Sequence, residues 1–414
     1  MRYTTRRRPA SLTFVSTALA LTGLTSWAAA QDPAPPAAPA DPAPAPAASV
    51  EANAQLTMAA SPPVVDAPAP APEPVAVPGF DVKVDFGVGL RTELAIDPDA
   101  EPESPLWRVA PNLRPYIAGQ VHDYIKFEGN VDTNGGGVAL LDAIIKFEFH
   151  EYFNLWTGRF LPPSDRANLS GPYFQNAWNY PVGTHLYPAV NAGRDDGLAV
   201  WGQVNGGQFK WQLGLFGMGA AAGTPDPRFA ARVVYNVLDP EPGYYNSSTY
   251  YGTKDILAFG AVLQHQPDDE ATAGTDTNTL WNLDALYENS FPGTGTLNVE
   301  AAFYGFGGND TGNSFSLLGS FLFADRVGIG QLQPMVRLQR AWVSDGDTFV
   351  PPITAPADGD ASLLTIDVGL HYIINGHNTR LAATVQHTSP SIDDAPVEPD
   401  SNTVLFLGAQ VQAF

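Results

Sequence analysis

Three arginines and three carboxylates crowd the two ends of one stretch of this chain, Arg159, Asp165 and Arg166 at its start and Arg194, Asp195 and Asp196 at its close. Opposite charges held apart across a gap make no bond with a solute; they orient it in a transverse field. Patterns for bond-making chemistry are missing. The chain has no Cys, which removes thiolate catalysis, Cys-ligated zinc and iron–sulfur clusters. Its seven histidines, His122, His150, His185, His265, His371, His377 and His387, show no HExxH or other metal-ligand spacing, and no G-x-S-x-G elbow presents a serine. The run Asn134-Gly135-Gly136-Gly137 lacks the Lys-Ser/Thr of a phosphate loop and is expected to connect two strands. We therefore expect no enzyme, no cofactor and no bound metal. With 43 acidic against 21 basic side chains, a net charge of −22 also excludes a protein that neutralises nucleic-acid phosphates.

Elements that could hold such charges begin after Gly79, where the sequence alternates with period two. Val82, Val84, Phe86, Val88 and Leu90 share one face; Lys83, Asp85 and Arg91 share the other. Around Lys146, Leu141, Ala143, Ile145, Phe147 and Phe149 oppose Asp142 and Glu148; Leu364, Ile366, Val368, Leu370 and Tyr372 oppose Thr365, Asp367 and His371. Sixteen such strands are predicted, beginning near residues 80, 112, 124, 138, 153, 196, 207, 228, 255, 279, 296, 314, 331, 362, 379 and 402. Bilayer-crossing strands need about 9–11 residues, and single-chain outer-membrane barrels use an even number of them. A soluble β-sandwich also alternates, but with strands nearer ~5–6 residues and with less aromatic material. The expected fold is all-β, a sixteen-stranded antiparallel transmembrane barrel in the outer membrane of a Gram-negative bacterium, surrounded by lipid and lipopolysaccharide.

Connection lengths give an independent test, because such barrels place short turns on the periplasmic side and longer loops outside. His122-Asp123, Glu151-Tyr152, Asn205-Gly206, Asp325–Gly330 and Asn375–Asn378 all fall on the periplasmic parity. Asp239–Lys254 falls there too, and its length breaks the rule. Thr92–Pro111, Leu161–Asp195, Pro267–Asn278, Ser344–Ala361 and Pro390–Ser401 are the outer loops. With the polar face turned inward, Lys126, Lys146, Lys210, Arg232 and Arg337 line the lumen wall beside a similar number of acids. The excess negative charge then lies in connections, above all in Glu93–Glu103, Asp268–Asp276, Asp345–Asp360 and Asp393–Asp400. Carboxylates of this kind suit divalent cations bridging to lipopolysaccharide; solvated loops explain them without any ion, since no EF-hand spacing is present.

Two segments precede the barrel. Arg2, Arg6, Arg7 and Arg8, an apolar run Leu12–Leu24 and Ala28-Ala29-Ala30 have the layout of a cleaved secretory signal over residues 1–30. Residues 31–79 are expected to be a disordered periplasmic linker: Asp32–Pro78 holds 14 Pro and 16 Ala in 47 residues, too little variety for a core. At ~3.1 Å per residue a Pro-rich segment of this length reaches on the order of 140 Å, enough for a tether to peptidoglycan.

At Leu155-Trp156-Thr157-Gly158-Arg159-Phe160-Leu161-Pro162-Pro163 the sequence resembles the strand-to-loop signature of the phosphate-selective O/P-type porin family. Ala192-Gly193-Arg194-Asp195-Asp196-Gly197 resembles the return into the next strand. Leu113–Asp132, Ala230–Asn236 and Leu332–Arg337 resemble further hairpins, so the likeness covers most of residues 80–414. It implies a barrel that is usually a homotrimer, with the third outer loop folded into the pore; here that loop is Leu161–Asp195, whose own sequence shows no helix or strand pattern. There Arg159, Arg166 and Arg194 are expected to face Asp165, Asp195 and Asp196 across a constriction, while a salt bridge from loop to wall serves each arginine equally well. It also implies passive diffusion of small hydrophilic solutes, and insertion by the barrel-assembly machinery through a last strand ending at Phe414. Five lysines and a wall where acids match bases predict weak or no anion selectivity, unlike an uninterrupted cationic ladder. The alternative is a non-conducting structural barrel linking outer membrane and cell wall. N-terminal sequencing of the exported protein is expected to begin at Gln31; an intact Met1 overturns the signal assignment.

Overall fold

A computed structural model describes residues 82–413 except 101–104, 134–136, 188–191, 218–226, 268–277, 308–311, 345–347, 350–352, 357–358 and 394–398. The signal segment, the Pro/Ala segment, Asn134–Gly136, most of the acidic loop carboxylates and Phe414 lie outside the described residues. Among the described residues sixteen long strands follow one another: β1 Lys83–Ile96, β2 Trp107–His122, β3 Ile125–Asp132, β4 Ala139–His150, β5 Phe153–Phe160, β6 Asp195–Val204, β7 Phe209–Phe216 and β8 Arg228–Asn236. The second half comprises β9 Ile256–Gln266, β10 Asn278–Phe291, β11 Gly295–Gly307, β12 Gly312–Phe323, β13 Gly330–Ser344, β14 Asp360–Asn375, β15 Thr379–Ile392 and β16 Asn402–Ala413. Three two-residue strands, Arg326–Val327, Thr348–Phe349 and Ile353–Thr354, lie in connections.

Each strand pairs antiparallel with the next, and β16 pairs back onto β1, with Leu90 opposite Val411 and Ile96 opposite Leu405. Closure joins the last strand to the first, so along the shared registers backbone donors and acceptors find partners on both sides within the wall. The strand starts match expectation to within five residues. The largest difference is at β2, which begins at Trp107: β1 and β2 continue their alternation and stay paired from Thr92–Pro111 to Ile96–Trp107. The expected outer loop Thr92–Pro111 thus contracts to residues 97–106, and Glu93 is an inward strand residue, 7% exposed. Leu141 is a second correction. A register shift opposite Asn130-Val131 turns it inward beside Asp142, leaving Leu140 and Ala143 facing out.

Burial alternates along most of the strands and is inverted in polarity compared with a soluble protein. Inward positions carry Arg91, Arg114, Glu128, Asp142, Lys210, Arg232, Asp284, Arg337, Asp367 and Arg380, all buried. Outward positions carry Leu, Val, Ile, Phe and Ala; among the described residues their only charges are Arg159, Asp196, Arg340 and, at a strand end, Asp360. Aromatic clusters mark both rims of this apolar belt. Tyr124, Phe147, Phe149 and Phe153 meet near the short turns at centroid distances of 6.1 to 6.3 Å, and Trp281, Phe303 and Trp342 meet at 5.4 and 6.0 Å near the opposite end. Amphipathic rings collect at the two faces of a bilayer for this reason: apolar body inward, polar edge to the headgroups. No helix among the described residues is long and apolar enough to cross a membrane; a barrel of this kind crosses with strands.

Gly158, the last glycine before the long connection, adopts φ +125°, and a Cβ there would lie 2.0 Å from the Ala143 carbonyl oxygen. Only glycine tolerates both constraints.

Val368 stands at the middle of β14 with its side chain outward and 57% exposed. Val368→Arg is expected to destabilise the barrel in lipid vesicles by about 2–4 kcal/mol, the midplane cost of a lipid-facing cation. Denaturant unfolding in vesicles checks it; a neutral result would mean the outward face does not meet hydrocarbon.

Candidate functional site

The chain leaves β5 at Phe160 and rejoins the wall at Asp195, and residues 160–184 are almost wholly buried. Contrary to the patternless loop expected, a helix α1, Arg166–Phe174, opens this connection. Its cap is legible in retrospect: the Asp165 carboxylate accepts from the Ala167 and Asn168 amides at 3.1 and 3.4 Å. Gly171 at φ 66° and Pro172 kink the helix, and after Phe174 the backbone runs irregularly to a short 3₁₀ turn at Val182–Leu186.

That irregular backbone is gripped by arginines. Arg380 donates to the Gln175 carbonyl at 2.5 Å and the Pro172 carbonyl at 2.9 Å, Arg337 donates to the Asn179 carbonyl at 2.6 Å, and Arg91 donates to the Trp178 carbonyl. Side chains complete the attachment. Trp178 Nε1 donates to Glu93 at 2.6 Å, its ring lies 3.8 Å from the Arg91 guanidinium, and it packs where a Cβ on Gly408 would come within 2.3 Å. Asn176 donates to Asn298 and Ser320 at 2.9 and 2.8 Å, and the Val182 amide donates to Gln339 at 2.9 Å. Gln264 donates to the Pro163 carbonyl at 2.8 Å, and Gln410 to that of Tyr173 at 3.0 Å. The connection is thus bonded to inward residues of β1, β9, β10, β11, β12, β13, β15 and β16.

The six charges expected to face one another separate into five environments. Arg159 and Asp196 form a two-point ion pair at 2.6 and 2.7 Å, but on the outward parity of β5 and β6 and partly exposed. The cue failed because β5 turns apolar Trp156 and Phe160 inward, where Trp156 stacks on Tyr244 at 4.6 Å. Arg194 is buried against Asp142, both contacts at 3.3 Å. Asp195 pairs with Arg228 at 2.7 Å. Arg166 is wholly buried and pairs with Glu241 at two oxygens, each 2.7 Å away, with Asp284 3.8 Å off. Asp165 meets no arginine; it accepts from the Tyr304 hydroxyl at 2.7 Å.

The five expected wall bases all face inward and all have partners. Lys126 pairs with Glu148 at 2.7 Å, and Lys146 with Glu128, its ammonium 4.3 Å from the Trp156 ring. Lys210 donates to the Tyr245 carbonyl at 3.1 Å, Arg232 to Asp284 at 2.5 and 3.0 Å, and Arg337 to Asp367 at 2.8 Å. Glu241, Tyr244 and His377 are site residues that the sequence did not single out. The signal for Glu241 and Tyr244 was the over-long connection on the short-turn side, residues 237–255; His377, from the β14–β15 turn, is legible in the sequence only as a histidine without ligand spacing.

Burial pushes the Asp165 carboxyl up to about 6, more than the Tyr304 hydrogen bond lowers it. Burial also opposes ionisation of Glu241, but the Arg166 guanidinium outweighs it and holds the carboxyl at about 2.

No family model matches the chain, and no curated protein matches it. Solved structures do. It is similar to an anion-selective porin from Comamonas acidovorans, at 13% identity and a TM-score of 0.54 over 80% of this chain and 100% of that one. OprB of Pseudomonas putida gives 12% identity and 0.52 over 80% and 94%, and OmpF of Salmonella typhi, in a complex with daunomycin, gives 11% and 0.52 over 80% and 97%. At such identities the likeness is one of fold: this is a porin-like, sixteen-stranded β-barrel.

Glu241→Gln leaves Arg166 buried without its full partner and is expected to cost about 3–5 kcal/mol at neutral pH. The folded carboxyl titrates below its ordinary 4.5, so its contribution is complete above pH 4.5 and is lost as pH falls through about 2. Unfolding of both proteins in detergent should therefore converge between pH 4.5 and 2. A gap that persists at pH 2 would exclude the ion pair as its cause.

Proposed function

We propose that this chain is a porin of a Gram-negative outer membrane, passing small hydrophilic solutes or ions by diffusion. In this proposal the connection Leu161–Arg194 is the third outer loop, folded into the lumen, and it sets what passes. The observation that carries the proposal is the inverted polarity of a closed barrel: charge and amide groups inside, a nearly uncharged apolar belt between two aromatic rims outside. A wall of that chemistry has a use only where water and polar solutes enter it. Asp165, Arg166, Arg194 and Asp195, with Lys146, Lys210, Arg232 and Arg337, act on the narrowing through their field, since all but Lys146 are buried behind the surface that solutes meet. Arg159 and Asp196 brace the ends of β5 and β6 instead.

Membership in the O/P-type family is proposed on the Gly158–Pro163 motif. Phosphate selectivity is not part of the proposal, because the inward arginines are engaged by carboxylates and loop carbonyls. A homotrimer is proposed because β3, β5 and β7 have only eight residues each while β2 and β14 have sixteen. Eight residues fall short of the ~9–11 a lipid-facing strand needs, and a second copy would cover that side. Residues 1–30 serve as the export signal, 31–79 as a periplasmic spacer that can reach peptidoglycan, and β16 as the strand presented to the assembly machinery.

A non-conducting structural barrel is favoured by one observation. One cavity between loop and wall, at Asn176, Ser248, Glu300 and Arg337, has a volume of only about 10 Å³, room for roughly one water.

Purified protein in a planar bilayer under a salt gradient is expected to give discrete current steps, grouped in threes, with weak selectivity. Strong chloride preference would overturn the assignment of selectivity; a silent membrane with folded protein would favour the structural barrel.

A further inference from the structure

The outward face of the wall changes character along β13, β14 and β15. Strand registers group their outward side chains into rows, each about 7 Å further along the strand than the last. Val336, Val368 and Val385 make one row, and Leu338, Ile366 and His387 the next. Arg340, Leu364 and Ser389 follow, then Trp342, Ser362 and Ser391. At the outer end Asp360 lies beside Asp393, whose amide donates to the Asp360 carbonyl at 2.9 Å. Over these last rows a hollow of about 390 Å³ opens outward, lined by Arg340, Trp342, Ser362, Ser391, Asp360 and Asp393. On the neighbouring strands the row of Arg340 continues as Phe315, Phe303 and Leu283, so the polar sector begins at β13. Two bases face outward among the described residues. Arg159 is paired with Asp196, whereas Arg340 is exposed and has no ion-pair partner among those residues.

We infer that this hollow binds the phosphorylated sugar headgroup of an outer-leaflet lipopolysaccharide, with Arg340 on a phosphate and Trp342, the two serines and the two aspartates on the sugars. The inference shares with the porin reading only the outer-membrane placement, since it concerns the outside of the wall and not the lumen. From the middle of the leaflet outward, such a lipid presents acyl carbon, then phosphate on amino sugar, then further sugars. The wall presents valine and leucine, then a guanidinium, then an indole with two hydroxyls, then two carboxylates. The two sequences of chemistry match. A guanidinium meets phosphate through two parallel N–H···O bonds, and its aliphatic stem can lie along apolar wall while the head reaches the headgroup layer. The indole ring offers an apolar face to the C–H side of a sugar, and serine hydroxyls and carboxylates exchange hydrogen bonds with its hydroxyls. Asp360 and Asp393 repel phosphate from the outer end, which fixes the register of the headgroup on Arg340. The polar strip also runs on sideways, through His387 and Thr403, 2.9 Å apart, and Ser389 and Ser401, 2.7 Å apart. That width suits a saccharide of several rings better than the small headgroup of a phospholipid. These strands, of 14 to 16 residues, belong to the side that the trimer proposal leaves facing lipid.

Full-length wild type and Arg340→Ala, both shown to be folded by circular dichroism, are titrated in detergent with bisphosphorylated lipid A and with its dephosphorylated form, and bound lipid is counted by native mass spectrometry. Wild type is expected to bind the phosphorylated form at least tenfold more tightly than the dephosphorylated one, and Arg340→Ala to lose that preference. Arg340→Lys, which keeps the charge but not the two-point geometry, is expected to fall between them. S362A/S391A is expected to weaken both lipid forms by a similar factor. Wild type that does not distinguish the two forms, or Arg340→Ala that binds as wild type does, overturns the site. Phosphatidylethanolamine that displaces lipid A at equal concentration makes the occupant a phospholipid and overturns the saccharide assignment. Wild type that selects phosphorylated lipid A yet stays silent in a planar bilayer supports the site and counts against the porin reading alone.

Discussion

Charge buried inside this barrel must be met by an acceptor, and the rest of the interior follows from that requirement. A guanidinium taken out of water without partners costs several kcal/mol, so Arg91, Arg337 and Arg380 can face inward only if something supplies oxygen atoms. Carbonyls of the β5–β6 connection supply them. This explains why α1 ends at Phe174: a continuing helix would spend its carbonyls on its own amides, whereas irregular backbone leaves those of residues 175–179 available. The same requirement on the opposite wall places Arg166 between Glu241 and Asp284, and Arg232 against Asp284.

The barrel was readable in the sequence because its two faces meet different media. Period-two alternation survives wherever a residue's surroundings depend only on parity, and from β6 to β16 it located every strand to within about two residues. It misled where a third layer intervenes. Trp156 and Phe160 face inward and are apolar because they pack on Tyr244 and on the connection itself, so the charged Arg159 was assigned to the wrong side. Leu141 was misassigned for a local reason, a single-residue bulge that alternation cannot reveal.

Site partners were less legible than site residues. Arg166 and the five wall bases were singled out from type and position, but Glu241 lies 75 positions from Arg166 and is brought to it only by closure of the sheet. No local pattern encodes such a distance. The one available hint was negative, a connection too long for its side of the barrel, and it marked the place without naming the contact.

Because the arginines hold main-chain oxygens, that share of the attachment at residues 175–179 is independent of the amino acids there, whereas the side chains of Asn176 and Trp178 carry the rest. A carbonyl is present whatever the amino acid. Side chains on the far face of this segment can therefore be exchanged without loosening it, so evolution or an engineer could alter the interior surface one residue at a time while the framework that displays it stays constant.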